Sequence, residues 1–313
     1  MTRDELKRLI VGPVATVPTA FDARLKLDLG TMADLTRWWV ANGCVTGRTV
    51  IKVAAAMGEG PDLSDDEWPH LLRTVVNAAG GKATIVCGLK PKNTLHTIDD
   101  AKRAQDLGAI ALQIDLPIFH HPTADDMVRF YTDISDAIDI GILIYNTFWF
   151  NSESSCPSIT ADVLLRLADA EHVTAVKWAV PDDQDNDEMR RFSAIFNVID
   201  NSNQPVRAHR NGARGYISSW VAAYPQHDLA VWDLLEARRY DEAQARLDQV
   251  SQALGGFAAR TAAKSGGYRL IKGMMAVMGR PVGAPRPPTL PMDDGELAEL
   301  REILRGIGWP VAS

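Results

Sequence analysis

The sequence predicts a (β/α)8 barrel, the TIM-barrel class of α/β folds, carrying a helical extension at its C-terminal end. Two observations lead there: eight short β-like runs, most of them continuously apolar, and segments of helical period between them. Continuously apolar runs mark strands covered on both faces, as in a parallel sheet. Strand followed by helix, repeated about eight times, closes such a sheet into a barrel. A length of 313 residues fits one large barrel with an extension.

The runs are Val11 to Val17, Arg48 to Ala54, Thr84 to Gly88, Ala109 to Leu116, Ile140 to Tyr145, Val173 to Lys177, Ile195 to Ile199 and Gly215 to Ser218. In the second run the apolar residues are Val50, Ile51, Val53 and Ala54. Between the runs, Leu29, Met32, Leu35 and Trp39 share one helical face, as do Ile159, Val163, Leu164 and Leu167. Ser64 with Glu67, and Thr123 before Ala124-Asp125-Asp126, have the spacing of helix N-caps. Gly43, Gly80-Gly81 and Gly108 stand where helices should stop.

Beyond Trp220 the pattern is helical only. Pro225 can open one helix, Tyr240 to Leu254 mark a second, Leu270 to Val277 a third and Leu297 to Ile307 the last. The expected organisation is a catalytic barrel region over residues 1–223, with the last barrel helix and the extension over 224–313 packed on it as one structural unit. The Pro-rich link from Arg280-Pro281 to Pro291 is too short to separate independently folding domains.

Composition narrows the partners. A hydrophobic content of 46% with 23% charged residues is that of a chain with a full core. The net charge of −7 and the lack of a basic face argue against nucleic acid or an anionic membrane. Cys44, Cys87 and Cys156 are scattered, with no Cys-x-x-Cys pair for zinc or a disulfide framework. The charged N-terminus lacks the apolar core of a signal peptide, and no stretch approaches a spanning helix, so a cytoplasmic location is expected.

Functional groups of such a barrel sit at the C-terminal ends of its strands. Tyr145 ends the fifth run and Lys177 the sixth, so adjacent parallel strands would bring them to one substrate. A lysine ending a buried segment either snorkels to water or is kept dry, and drying lowers its pKa and makes it a nucleophile. A tyrosine there either moves protons or bonds a backbone group at the core edge. The turn Ala54-Ala55-Ala56-Met57-Gly58-Glu59-Gly60 is either a plain tight turn or one that exposes consecutive N–H groups to a carboxylate.

Pro18-Thr19-Ala20-Phe21-Asp22, Met57-Gly58-Glu59-Gly60 followed by Leu63-Ser64, Tyr145-Asn146, Val176-Lys177 and Gly212-Ala213-Arg214-Gly215 together resemble the dihydrodipicolinate synthase / N-acetylneuraminate lyase family. The likeness covers most of the chain, including Pro287-Pro288. It implies a class I lyase that joins pyruvate or another 2-oxo acid to a lysine as a Schiff base. Lys177 would be that lysine, Tyr145 the proton carrier, and the backbone of Ala56 and Met57 the carboxylate site. It also implies a homotetramer or homodimer and no cofactor or metal, since the imine itself is the electrophile.

The departures mark a divergent member. The family's usual Gly-Thr-Thr-Gly-Glu is replaced by Ala55-Ala56-Met57-Gly58-Glu59, which removes two hydroxyls. Phe119 stands where the synthases carry a second tyrosine, and Thr147-Phe148-Trp149-Phe150-Asn151 contains no arginine for the aldehyde's carboxylate. A lysine-biosynthetic role is therefore not expected. Sialic-acid lyases carry acids in the loop after the seventh strand, whereas this chain has Asn201-Ser202-Asn203-Gln204, and Ala179 replaces the threonine of some sugar-acid lyases.

Aromatic residues take the place of the lost polar groups: Phe119, Phe148, Trp149, Phe150, Trp178 and Trp220 fall at or near strand ends. They suit an apolar or aromatic aldehyde held by stacking, as in family members that act as hydratase-aldolases on aryl-substituted pyruvates. Several can equally pack loops or subunit contacts. The expected substrate-binding set is Ala56, Met57, Phe119, Phe148, Trp178, Asn201, Ser202, Ile217 and Ser218. Two alternatives stand beside an aldolase: a dehydratase of a 2-oxo-3-deoxy sugar acid, and a non-catalytic member that only binds an oxo acid. His120-His121 near Asp125 and Asp126 reads as a solvated loop rather than metal ligands. Arg207, His209 and Arg210 read as an outer helix, and the acidic stretch Asp182 to Glu188 as a solvated loop leading into a helix.

Overall fold

A computed structural model describes residues 1–116, 121–146, 158–181 and 184–312. Eight parallel strands close into one barrel in chain order: β1 (Gly12–Thr16), β2 (Val50–Val53), β3 (Thr84–Leu89), β4 (Ala111–Asp115), β5 (Gly141–Tyr145), β6 (Val173–Trp178), β7 (Asn197–Asp200) and β8 (Gly215–Ser218). β8 returns to β1 with Val14 opposite Ile217. Both faces of the strands are buried, which is why the runs are continuously apolar rather than alternating.

Helix α1 (Arg3–Leu9) precedes the barrel, and α2 (Leu29–Ala41), α3 (Glu67–Ala79), α4 (Thr94–Asp106), α5 (Ala124–Ser135), α6 (Ala161–Arg166) and α7 (Pro205–Arg210) alternate with the strands. Their apolar faces turn to the sheet: Met32, Leu35 and Trp39 of α2 are buried, as are Val163 and Leu164 of α6. Thr123 and Asp126 form a reciprocal capping box on α5. Ser64 and Glu67 exchange the same pair of bonds, although α3 itself begins at Glu67. The acidic stretch before β7 leads into a 3-10 turn, Asn186–Arg191, rather than an α-helix. The amides of Ile195 and Phe196 then turn back to the Phe192 carbonyl, so β7 starts at Asn197, two residues later than the apolar run suggests.

After β8 come α8 (Trp220–Ala223), α9 (Pro225–Glu236), α10 (Tyr240–Ser265), α11 (Tyr268–Val277) and α12 (Asp294–Gly306). Leu254, Met274 and Leu300 of these helices share one apolar cluster with Leu35 and Trp39 of α2. Buried Lys272 of α11 pairs with Glu59 at 3.0 Å and donates to the Thr19 carbonyl at 2.9 Å, which ties the helical region to the turn after β2. Arg286, in the Pro-rich link, reaches Glu67 at 2.6 Å and the Asp62 carbonyl at 2.7 Å. Among the described residues, no helix is long and apolar enough to cross a membrane.

α1 covers the N-terminal end of the barrel, where the Asn197 amide donates to the carbonyls of Lys7 and Ile10 at 2.7 and 2.9 Å. At the opposite end the turn after β2 lies directly against neighbouring backbone. A Cβ on Gly88 of β3 would stand 2.7 Å from Ala55 Cα and 2.9 Å from the Ala54 carbonyl oxygen. The obstacles are backbone, so the turn itself would have to move. Gly88→Ala is expected to lose about 2 kcal/mol of stability in urea unfolding, the usual scale of overpacking. An unchanged midpoint would show that the turn is not pinned there.

Candidate active site

Because side chains alternate along a strand, each strand of the barrel sends every second residue inward. Val14, Val50, Val86, Ala111, Leu143, Ala175 and Ile199, with Ile10 from the floor and Ile217 beside them, form a closed apolar plug. Two residues further along their strands the inward positions turn polar: Lys52 follows Val50, Gln113 follows Ala111, Tyr145 follows Leu143 and Lys177 follows Ala175. Asp115 lies one more step along β4 and pairs in register with Tyr145, which pairs in turn with Lys177.

The Lys177 ammonium position is 3.4 Å from the centre of the Tyr145 ring, and both residues are buried. Lys52 Nζ donates to Gln113 Oε1 at 2.6 Å, and Gln113 Nε2 donates to Asp115 Oδ1 at 3.1 Å. Burial pulls the Lys177 pKa well below the usual lysine range; Lys52 adds to the shift and Asp115 opposes it. Burial lowers Lys52 to about 8 against the pull of Asp115. It raises Asp115 to about 6 against Lys177, Gln113 and Lys52. A charge over an aromatic face gains about 1–2 kcal/mol. Drying an unpaired ammonium costs several. The arrangement therefore favours Lys177 as a free amine, the form that attacks a carbonyl.

The turn after β2 lies at the mouth. It is a 3-10 turn over Ala56–Gly58 flanked by Ala54 and Glu59 in left-handed conformation, with φ of 54° and 63°. Such strain persists only where the surroundings hold it. Here the hold is close backbone approach: a Cβ on Gly60 would meet the Ala54 carbonyl oxygen at 1.8 Å, and one on Gly58 the Val17 carbonyl oxygen at 2.5 Å. Thr19 Oγ1 donates to the Gly58 carbonyl at 2.6 Å. Glu59 beneath is raised to about 7 by burial, against the pull of Lys272. Ala56 and Met57 stay exposed, Met57 at 41%, and as the first residues of the turn their N–H groups have no carbonyl of that turn to bond.

Of the expected site residues, then, Lys177 and Tyr145 meet inside the barrel, and Ala56 and Met57 stand at its mouth. Phe119 and Phe148, with Trp149, Phe150 and His120, lie outside the described residues. Trp178 is a correction. As the neighbour of inward Lys177 it faces the helices, where its Nε1 donates to the Asn186 carbonyl at 2.9 Å and its ring stands edge-on to Phe192 at 5.0 Å. Ser202 Oγ donates to Asp200 at 2.6 Å, and Ser202 and half-buried Asn201 line a pocket of about 290 Å3 with Ala179, Gln184 and Arg207. Ile217 belongs to the apolar plug. Ser218 faces outward and accepts from the Trp220 amide at 3.2 Å, so Trp220 lines a side cavity of about 280 Å3 with Asp228 and Leu254 rather than the barrel interior. His121 is exposed, and among the described residues no group of three or more His, Cys, Asp or Glu is placed to hold a metal. Arg207, His209 and Arg210 do lie on an outer helix, α7.

Reading the runs as continuously apolar passed over Lys52, Gln113 and Asp115. The signal that would have found them is period two: Lys52 follows inward Val50 by two positions, Gln113 follows inward Ala111 and Asp115 follows Gln113.

A closed barrel with a buried lysine at the C-terminal end of β6, facing a tyrosine at the end of β5, has the architecture of a class I aldolase. The model of the dihydrodipicolinate synthetase family matches residues 9–307, and the chain belongs to that family. It is 31% identical over 296 residues to a 4-hydroxy-tetrahydrodipicolinate synthase of Mycolicibacterium gilvum, covering 93% of this chain and 92% of that one. A dihydrodipicolinate synthase structure from Aquifex aeolicus superposes with a TM-score of 0.82 at 20% identity, over 97% of this chain and 100% of that chain. A structure of PhdJ bound to a substrate intermediate superposes with a TM-score of 0.78 at 25% identity, over 97% of this chain and 96% of that one. The protein is accordingly a lyase of the Schiff-base class that acts on a 2-oxo acid.

The outward placement of Trp178 has a measurable consequence. Trp178→Phe leaves the Asn186 carbonyl without its donor and is expected to lose about 1–2 kcal/mol of stability. KM for the 2-oxo acid should stay within twofold of the parent's. A large rise in KM with unchanged stability would return Trp178 to the substrate site.

Proposed function

We propose that Lys177 is the lysine that forms the imine and that Tyr145 carries the protons. The observation that carries this reading is the 3.4 Å approach of the Lys177 amine to the Tyr145 ring in a dry interior. The amine adds to the ketone carbon of a 2-oxo acid such as pyruvate. Tyr145 gives a proton to the departing hydroxyl, water leaves, and a protonated imine remains. Loss of a proton from the adjacent carbon gives an enamine, which attacks an aldehyde carbonyl; the reverse steps cleave the same C–C bond. The oxo-acid carboxylate would lie against the N–H groups of Ala56 and Met57.

Lys52 is the rival nucleophile, being also buried and lowered in pKa. It is 1% exposed against 7% for Lys177 and is already bonded to Gln113, which favours Lys177. For the second substrate we infer an apolar or aromatic aldehyde. Support comes from the sequence that follows the fourth and fifth strands, with Phe119 after one and Phe148-Trp149-Phe150 without arginine after the other. The sugar-acid dehydratase reading loses support from Ser202, whose hydroxyl is taken up by Asp200. A homotetramer or homodimer remains the expected assembly, and sedimentation equilibrium measures it.

Borohydride reduction in the presence of pyruvate is expected to leave a stable adduct on the Lys177 peptide by mass spectrometry. No adduct with any 2-oxo acid, or one confined to Lys52, would overturn the assignment. Tyr145→Phe is expected to slow turnover by about 10²-fold or more, the scale of a lost general acid/base, while adduct formation at equilibrium persists. Equal turnover in variant and parent would remove Tyr145 from the mechanism.

A further inference from the structure

Two lysines and one carboxylate share the polar layer above the plug. We propose that Lys52 is a positioning residue that keeps Lys177 nucleophilic: bridged to Asp115 through Gln113, it takes up the carboxylate that would otherwise serve Lys177 as counter-ion. The inference rests on the imine role of Lys177 and deepens it.

The geometry is specific. Lys52 and Gln113 lie 2.6 Å apart and Gln113 and Asp115 3.1 Å apart, so the amide presents its oxygen to the cation and its nitrogen to the anion. Only that orientation satisfies both neighbours. Asp115 reaches Lys177 in strand register through Tyr145, with no bridging side-chain amide between them. Among the described residues, the titratable groups facing Lys177 across the interior are Lys52 from β2, Asp115 from β4 and Tyr145 from β5. The other strands offer Thr16, Gly88, Ile199 and Ile217. Asp200, next to Ile199, faces outward and accepts from Ser202 and Gln204.

Charge balance explains what the bridge does. A dry interior tolerates a cation and an anion bonded through one amide, and a neutral amine beside them gives zero net charge. Protonating Lys177 would add an unpaired cation next to Lys52, and like charges disfavour the charged form. Without Lys52, Asp115 would be free to pair with Lys177 and hold it as an unreactive ammonium. The shifts agree in sign: Lys52 lowers Lys177, and Asp115 raises it. Lys52 thereby adds by charge to what burial begins, and its bridge to Asp115 offsets the opposing pull of the carboxylate.

The test follows the pH dependence of Lys177 acetylation by acetic anhydride, read peptide by peptide by mass spectrometry in the full-length protein without substrate. Lys52→Met, similar in shape and uncharged, is expected to move the Lys177 profile up by about one pH unit or more, about a tenfold loss of labelling at a fixed pH on its acid limb. Asp115→Asn is expected to move it down by a similar amount. Lys52→Arg keeps the cation and should restore the profile toward the parent, whereas a purely structural role would make Arg no better than Met. Unmoved profiles in Lys52→Met and Asp115→Asn overturn the proposal. If Lys52→Met does not fold, the near-isosteric Asp115→Asn decides it alone. Borohydride trapping of the parent with pyruvate reads the imine role separately: shifted profiles without an adduct would remove the imine and leave the charge relation standing.

Discussion

A closed parallel barrel leaves almost no water at its centre, and this chain places two lysines and a carboxylate there. Fully charged, the three would carry one unbalanced cation in a medium that penalises it by several kcal/mol. The resolution favoured by the geometry is to pair Lys52 with Asp115 through Gln113 and leave Lys177 as an amine. The low pKa of Lys177 is then a consequence of where the strands put their inward residues, since burial and a neighbouring like charge act in the same direction. Tyr145 adds an aromatic face against which the amine rests.

The mouth of the barrel is held by different means. The turn after β2 is forced into left-handed geometry at Ala54 and Glu59 and is gripped by backbone contacts at Gly58, Gly60 and Gly88. Beneath it the Glu59–Lys272 pair joins the turn to α11, so the helical extension buttresses the place where an oxo-acid carboxylate would sit. Removal of either partner would strand a buried charge, which costs more than the pair itself gains. The loss of the usual hydroxyls at Ala56 and Met57 leaves a turn that can offer backbone donors alone.

Strand order, the helical extension and the pairing of Lys177 with Tyr145 were legible because burial on both faces writes itself as apolar runs, and strand ends write themselves as the residues that close them. Inward and outward faces were harder to read. Trp178 was placed at the substrate because it lies at a strand end, yet alternation turns it to the helices once Lys177 points inward. Ser218 and Ser202 went the same way, one facing out beside Trp220 and the other bonded to Asp200. Lys52, Gln113 and Asp115 were hidden for the converse reason: isolated polar residues in otherwise apolar runs do not disturb a strand assignment, although period two sends them all to one interior. β7 began late because Phe192 draws back the amides of Ile195 and Phe196, a turn that hydrophobicity does not encode.

The central claim is that a 2-oxo acid joins the protein at Lys177, within a polar layer whose other cation is already paired. Electron density from crystals soaked in pyruvate tests it most directly. The account predicts continuous density from Lys177 Nζ to the ketone carbon, the carboxylate against the N–H groups of Ala56 and Met57, and Lys52 still bonded to Gln113. Density joined to Lys52 instead, or pyruvate bound away from both lysines, would contradict it.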